Sequence, residues 1–142
     1  MKATALNDDS SVLVFDKGEE IIAALTGYVK AHAISAAHFT AIGALSDAVL
    51  GYFDRMRKDY KKIPVREQVE VLSLVGDVAL DGGAPKIHAH IVVGDAEGRA
   101  HGGHLLEGHV WPTLELILTP SPRPLRRRMD PETGLALLDP AA

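Results

Sequence analysis

Between Lys86 and His109 the chain reads "KIHAHIVVGDAEGRAHGGHLLEGH", a stretch that carries five of its seven histidines. There is no cysteine among the 142 residues. Disulfides and cysteine-ligated zinc are therefore excluded, and histidine and carboxylate remain as the strong ligand types. Neutral imidazoles suit zinc, with nickel, cobalt and copper competing by affinity. Three protein ligands leave a fourth position open, the arrangement in which zinc lowers the pKa of a bound water. The chemistry thus depends on how many of these imidazoles meet at one point. The alternative is a solvated hairpin, since His-x-His pairs are common on exposed strands.

The tetrapeptide Asp95–Gly98, "DAEG", predicts a type I turn with Gly98 left-handed and forming a bulge. Asp95 and Arg99 then close a hairpin, and counting back from them sets His90 opposite His104. Strand alternation puts His88 on the same face as His90. Cross-strand Cβ atoms on one face stand about 4.5–5.5 Å apart. Imidazoles that each reach a metal at about 2.0–2.1 Å bridge such gaps. The same register sends His101 to the opposite face unless Gly102–Gly103 shifts it, and His109 lies past Gly108, where register is lost. The expected metal ligands are His88, His90 and His104. Glu107, or an acid from another subunit, is a candidate for the fourth position. His32 and His38 read as ordinary solvated or hydrogen-bonded residues.

The elements that hold this hairpin are legible in outline. "SVLVF" (Ser11–Phe15) is a strand. A helix is expected over Glu19–Ala33, where Asp16 and Glu19 resemble a capping box and Ile21, Leu25, Tyr28 and His32 recur at helical spacing. "AAHFTAIGALSDAVLGYFD" reads as two strands broken near Gly43 to Ser46, and Asp59 to Pro64 as a polar connection. "EQVEVLSLVGDVAL" suits a strand entering the interior, and "GGAP" is a loop. Ile87–Val93, Arg99–Leu105 and Thr113–Leu118 complete the strands. The sum is an α+β fold, a mostly antiparallel sheet of about seven strands with one principal helix. A single domain over 1–142 is the default at this length. Its tail, 121–142, is rich in proline and arginine and ends in "LALL", so it is expected to pack on the body or on a neighbouring subunit.

Fifteen basic against nineteen acidic residues leave a net charge of −4, so the chain as a whole is no electrostatic partner for nucleic acid. Basic residues do cluster locally. Arg55, Arg57, Lys58, Lys61, Lys62 and Arg66 form one group, and Arg123, Arg126, Arg127 and Arg128 another. Each also reads as a solvated loop, or as arginines paired with acids of a neighbouring subunit. No signal-peptide core or membrane-length apolar run is present, which leads to the expectation of a soluble cytoplasmic protein. No P-loop, dinucleotide fingerprint, Ser–His–Asp order or H-E-x-x-H helix occurs.

"IGALSDAVLGYFD", "VLSLVGDVAL", "HAHIVVGDAEGRAHGGHLLEG" and "LRRRMDPETGLALLD" occur in an order that resembles the PPC domain family, the plants and prokaryotes conserved domain. The resemblance runs from about Val12 to Leu138, and its most specific part is the H-x-H…G-G-H-L signature. The chain resembles the single-domain bacterial and archaeal members. The resemblance implies an α+β homotrimer that can hold a metal on His88, His90 and His104, and the imidazole chemistry makes zinc the expected ion. His101 and His109 have no counterpart in the family pattern.

Plant members attach this domain to AT-hooks and bind A·T-rich DNA. This chain lacks the hook's Arg-Gly-Arg-Pro core, and "PRPLRRR" echoes it only distantly. Three functions therefore stand open. The first is a trimeric metal-binding module, with a small-molecule ligand or hydrolytic chemistry at the open position. The second is a DNA-binding protein, and the third a structural interaction domain in which the histidines are incidental. The resemblance assigns no catalytic residue.

Overall fold

The alternation of Ala37, Phe39 and Ala41 with His38, Thr40 and Ile42 puts the first set inside and the second outside, the two-residue period of a half-buried strand. The same logic repeats along the chain in the computed structural model, which describes residues 1–141. The elements run β1 (Lys2–Asn7), β2 (Ser10–Phe15), α1 (Ile21–Ala31), β3 (Ala37–Asp54), β4 (Asp59–Val65), β5 (Val69–Asp81), β6 (Ala84–Gly94), β7 (Ala100–Pro120), β8 (Arg127–Met129) and β9 (Ala136–Leu138). Ala142, the last residue of the expected tail, lies outside the described residues.

Seven strands form one antiparallel sheet in the order β1-β2-β7-β6-β5-β3-β4, and β3 also pairs with β7. The pairings β7–β6–β5–β3–β7 therefore return on themselves as a ring, which is the α+β architecture anticipated from the strand count. Phe15, Phe39, Leu45, Leu74, Ile91, Leu114, Leu116 and Leu118 fill the inside. The helix closes that core with Ile21, Leu25 and Val29, all buried, and each such side chain contributes about 1.5–3 kcal/mol by leaving water. Among the described residues no helix is long and apolar enough to cross a membrane.

Several boundaries differ from the sequence reading, each for a local reason. Gly18 and Glu19 form backbone hydrogen bonds with Val110 of β7, which holds them out of the helix. The N-cap is Glu20, whose carboxylate accepts from the Ile22 and Ala23 amides. Asp16 and Glu19 complete only half of the capping box, the Asp16 amide donating to Glu19 Oε2 at 2.8 Å.

The two strands expected around Gly43 are a single strand, β3. Its pairing slips at Gly43–Leu45, at Leu45–Asp47 and again at Val49–Leu50, so bulges absorb what looked like a break. Gly43 itself permits close contact, because a Cβ there would stand 2.3 Å from the Thr113 carbonyl oxygen. Likewise Arg99–Leu105 and Thr113–Leu118 belong to one continuous β7.

The expected connection Asp59–Pro64 is the edge strand β4, exposed along most of its length. It has no apolar alternation to betray it, because neither face enters the core. "GGAP" is a two-residue turn between paired Asp81 and Ala84. Gly82 and Gly83 both have positive φ there, as a type I′ hairpin requires.

The tail folds back as the β8–β9 hairpin, with Arg127 opposite Leu138. The Leu80 amide donates to the Leu125 carbonyl at 2.8 Å, and Arg127 pairs with Asp77 of β5.

Candidate metal centre

The hairpin is set by its turn. Asp95 N–H donates to the Arg99 carbonyl at 3.0 Å, Gly98 N–H donates to the Asp95 carbonyl at 2.9 Å, and Gly98 has φ +76°. The Asp95 carboxylate accepts from the Glu97 and Arg99 amides and from Arg99 Nε, and lies 3.0 Å from His101 Nε2. The His101 contact leads the interactions that hold this carboxyl far below its ordinary pKa, with the Arg99 bonds assisting against burial. His101 is thereby committed to the turn.

From that turn the register runs as expected: Gly94 faces Ala100, Val93 faces His101, and His90 faces His104. His88 lies two residues along, on the His90 face. One nitrogen from each of His88, His90 and His104 falls within 4.8 Å of the others, and the ring centroids are 5.1 to 5.6 Å apart. Bond lengths of about 2.0–2.1 Å in tetrahedral geometry bring ligand nitrogens to about 3.3–3.4 Å, so small rotations of these side chains complete the site.

The electrostatics fit a cation held by neutral imidazoles. Burial, then the charges of His88, His90 and Lys86, lowers the His104 pKa to about 4. Burial and then His88 also lower that of His90. Both rings are consequently neutral near pH 7, with a lone pair free to donate. His104 Nδ1 is buried without a hydrogen-bond partner, which is costly unless something else satisfies it. The residues present fit a divalent transition metal.

Three supporting residues had no signal strong enough to be found in the sequence. Tyr60, from the unrecognised β4, stacks on His104 with centroids 4.7 Å apart. Asp77, opposite His88 in register, places Oδ2 3.7 Å from His88 Nδ1. Burial alone would raise the Asp77 pKa, but His88 and Arg127 outweigh it and the net shift is downward. Arg127 clamps the other Asp77 oxygen. A single carboxylate inside the apolar run "LVGDVAL" was the available clue to Asp77.

Glu107 is not in the cluster. Its strand partner is Val49, two residues along β3 from the His104 partner Gly51, and its carboxylate stands 3.8 Å from His109 Nε2. His109 Nδ1 in turn meets Asp47 at 2.8 Å, a contact that raises the His109 pKa. His32 stacks on Tyr28 at 4.0 Å, and His38 is exposed.

Residues 3–122 match the model of the Plants and Prokaryotes Conserved (PCC) domain. The chain belongs to this family. Among solved PCC-like structures, a metal-containing protein from Archaeoglobus fulgidus is 34% identical with a TM-score of 0.85, covering 97% of this chain and 99% of that one. A protein of Bacteroides thetaiotaomicron, provisionally described as DNA-binding, superposes with a TM-score of 0.93 at 25% identity, covering 97% and 96%. Bifunctional protein GlmU of Synechococcus sp. strain JA-3-3Ab is 38% identical over 97 residues, which is 67% of this chain. That match spans only 14% of the length of the Synechococcus protein.

Proposed function

We propose that this PCC domain is a homotrimeric metal-binding module in which His88, His90 and His104 hold one divalent transition metal per chain, most readily zinc. The observation that carries this reading is the convergence of three imidazole nitrogens within 4.8 Å of one another. The metal-containing Archaeoglobus relative supports it. Bound there, zinc supplies a Lewis acid with an open position for water or another small ligand. The protein's own part is to hold two rings neutral, to orient His88 through Asp77 and to cover His104 with Tyr60. Protein prepared without a polyhistidine tag and dialysed against zinc should retain one equivalent per chain by elemental analysis. Retention well below stoichiometric would contradict the reading.

Assembly as a trimer is supported by apolar side chains that the single chain leaves in water. Ile42, Leu72 and Val75 are 60%, 53% and 48% exposed, and with Ile117 they line one shallow groove. Leu137 and Leu138 of the tail are likewise exposed. Light scattering at micromolar concentration should give three times the chain mass of 15.2 kDa. A species of the single-chain mass would refute it.

The provisional DNA-binding description of the Bacteroides relative motivates a second reading, which the charges oppose. Arg127 and Arg128 are engaged with Asp77 and Asp139, and the net charge is −4. In the basic β3–β4 hairpin Arg57 lies 3.9 Å from Asp54, while among the described residues Arg123 and Arg126 of the tail make no ion pair. At about 150 mM salt, where surface charges are screened beyond about 8 Å, the protein should show no sub-micromolar binding to A·T-rich or G·C-rich duplexes. Tight binding with a clear A·T preference would restore the DNA reading.

A further inference from the structure

A cavity of about 150 Å³ lies between the histidines and the tail hairpin, the size that accommodates a benzene-sized body. One wall is polar, with His88, His104 and Tyr60, and Lys86 and Arg127 bring two cations to it. The other wall is Leu135 to Leu137 of the tail.

Among the described residues, two buried side-chain atoms lack a hydrogen-bond partner, His104 Nδ1 and Arg127 Nε. Both residues line this cavity. The Arg127 side chain is only 6% exposed. Its Nη atoms are taken by Asp77 and by the Ala136 carbonyl, so Nε is the part of the guanidinium left over. A buried cationic donor without an acceptor is costly.

The charges around the cavity point the same way. Arg127 is balanced by Asp77, and Lys86 by Asp81 at 2.8 Å. Neutral imidazoles add no negative charge. A dication on the three histidines would therefore leave a half-buried site with an uncompensated double positive charge, and at reduced dielectric such a site favours an anion strongly.

We propose that the cavity binds a small monocarboxylate, its carboxylate at the open metal position beside Arg127 and Lys86 and its short apolar body against Leu135 and Leu137. The proposal rests on the metal reading. A free phosphate would leave the leucine wall uncovered, and a neutral amide would leave the charge uncompensated.

Calorimetric titration of the zinc-loaded protein with benzoate and with its neutral isostere benzamide tests this, with metal content measured on the same samples. Benzoate should bind in the millimolar range or tighter, and at least about tenfold more tightly than benzamide, a 1.4 kcal/mol difference. Lys86→Met, at an exposed side chain, should weaken benzoate severalfold. Leu137→Asp should abolish the preference for benzoate by placing a carboxylate on the apolar wall. Both variants should keep their zinc. Should Leu137→Asp disturb the tail, Lys86→Met decides alone. Full zinc content with no benzoate binding, or with equal binding of benzoate and benzamide, overturns this proposal and leaves the metal reading standing. A sample that takes up no zinc overturns both.

Discussion

His104→Ala protein dialysed against zinc should retain less than a tenth of the wild-type metal. His88→Ala and His90→Ala should behave in the same way, because two imidazoles with no third ligand cannot build a tetrahedral protein site. The effect should be largest at His104. Its Nδ1 is buried with no other partner, and Tyr60 stacks on its ring. Asp77→Asn should cost less, about 10–100-fold in affinity, the usual range for a group that orients a metal ligand. His101→Ala should leave metal content unchanged, since its nitrogen is spent on Asp95. It should instead loosen the turn. Equal metal loss from His101→Ala would contradict the assignment of faces on which the whole site depends.

The largest stability effects should come from the contact between Phe39 and Gly76, which sits directly beneath the site. Phe39 is 2% exposed and packs over the β5 backbone at Gly76, the residue before Asp77. Phe39→Ala should destabilise by about 3–5 kcal/mol, the range for emptying a buried aromatic site. Gly76→Ala acts in the opposite sense, by overfilling. Its Cβ would stand 2.4 Å from both the His88 carbonyl oxygen and Phe39 Cζ. Forced overpacking costs about 1–3 kcal/mol, and here it also pushes β6 away at His88. Gly76→Ala should therefore lower both the urea midpoint and the zinc affinity. Phe39→Ala should lower the midpoint with a smaller effect on zinc, because the hairpin register does not depend on it. The comparison must be made at equal chain concentration, since oligomerisation makes apparent stability concentration-dependent. A Gly76→Ala protein with a wild-type midpoint would show that β5 and β6 lie farther apart than the structure has them.

Features set by local geometry are legible in the sequence, and those set by long-range packing are not. The turn Asp95–Gly98 fixes its own geometry through Gly98, and a hairpin register is a counting consequence of its turn. The pairing of His90 with His104 was thus legible without any tertiary information. So was the period-two burial of β3, and with it the fold class. β4 was not, because an edge strand exposed on both faces carries no hydrophobic pattern, and Tyr60 was lost with it. Asp77 faces His88 by counting back from the Gly82–Gly83 turn between Asp81 and Ala84, a register that is missed when "GGAP" is read as a loop and not as a two-residue hairpin turn. Arg127 looked like one of four tail arginines. What distinguishes it is the way the β8–β9 hairpin lies over β5, a long-range packing outcome without a local signature. Glu107 is a reasonable fourth ligand by proximity in the chain, yet it pairs two residues farther along β3 than His104 does and its carboxylate lies by His109.

A metal centre here requires three side chains from two strands to share one ion. Anomalous diffraction collected across the zinc absorption edge from zinc-soaked crystals tests it most directly. A single strong peak per chain is expected, within about 2.0–2.1 Å of one nitrogen from each of His88, His90 and His104. A peak at His109 and Glu107 instead, or none at the three histidines in protein that binds zinc in solution, would contradict it.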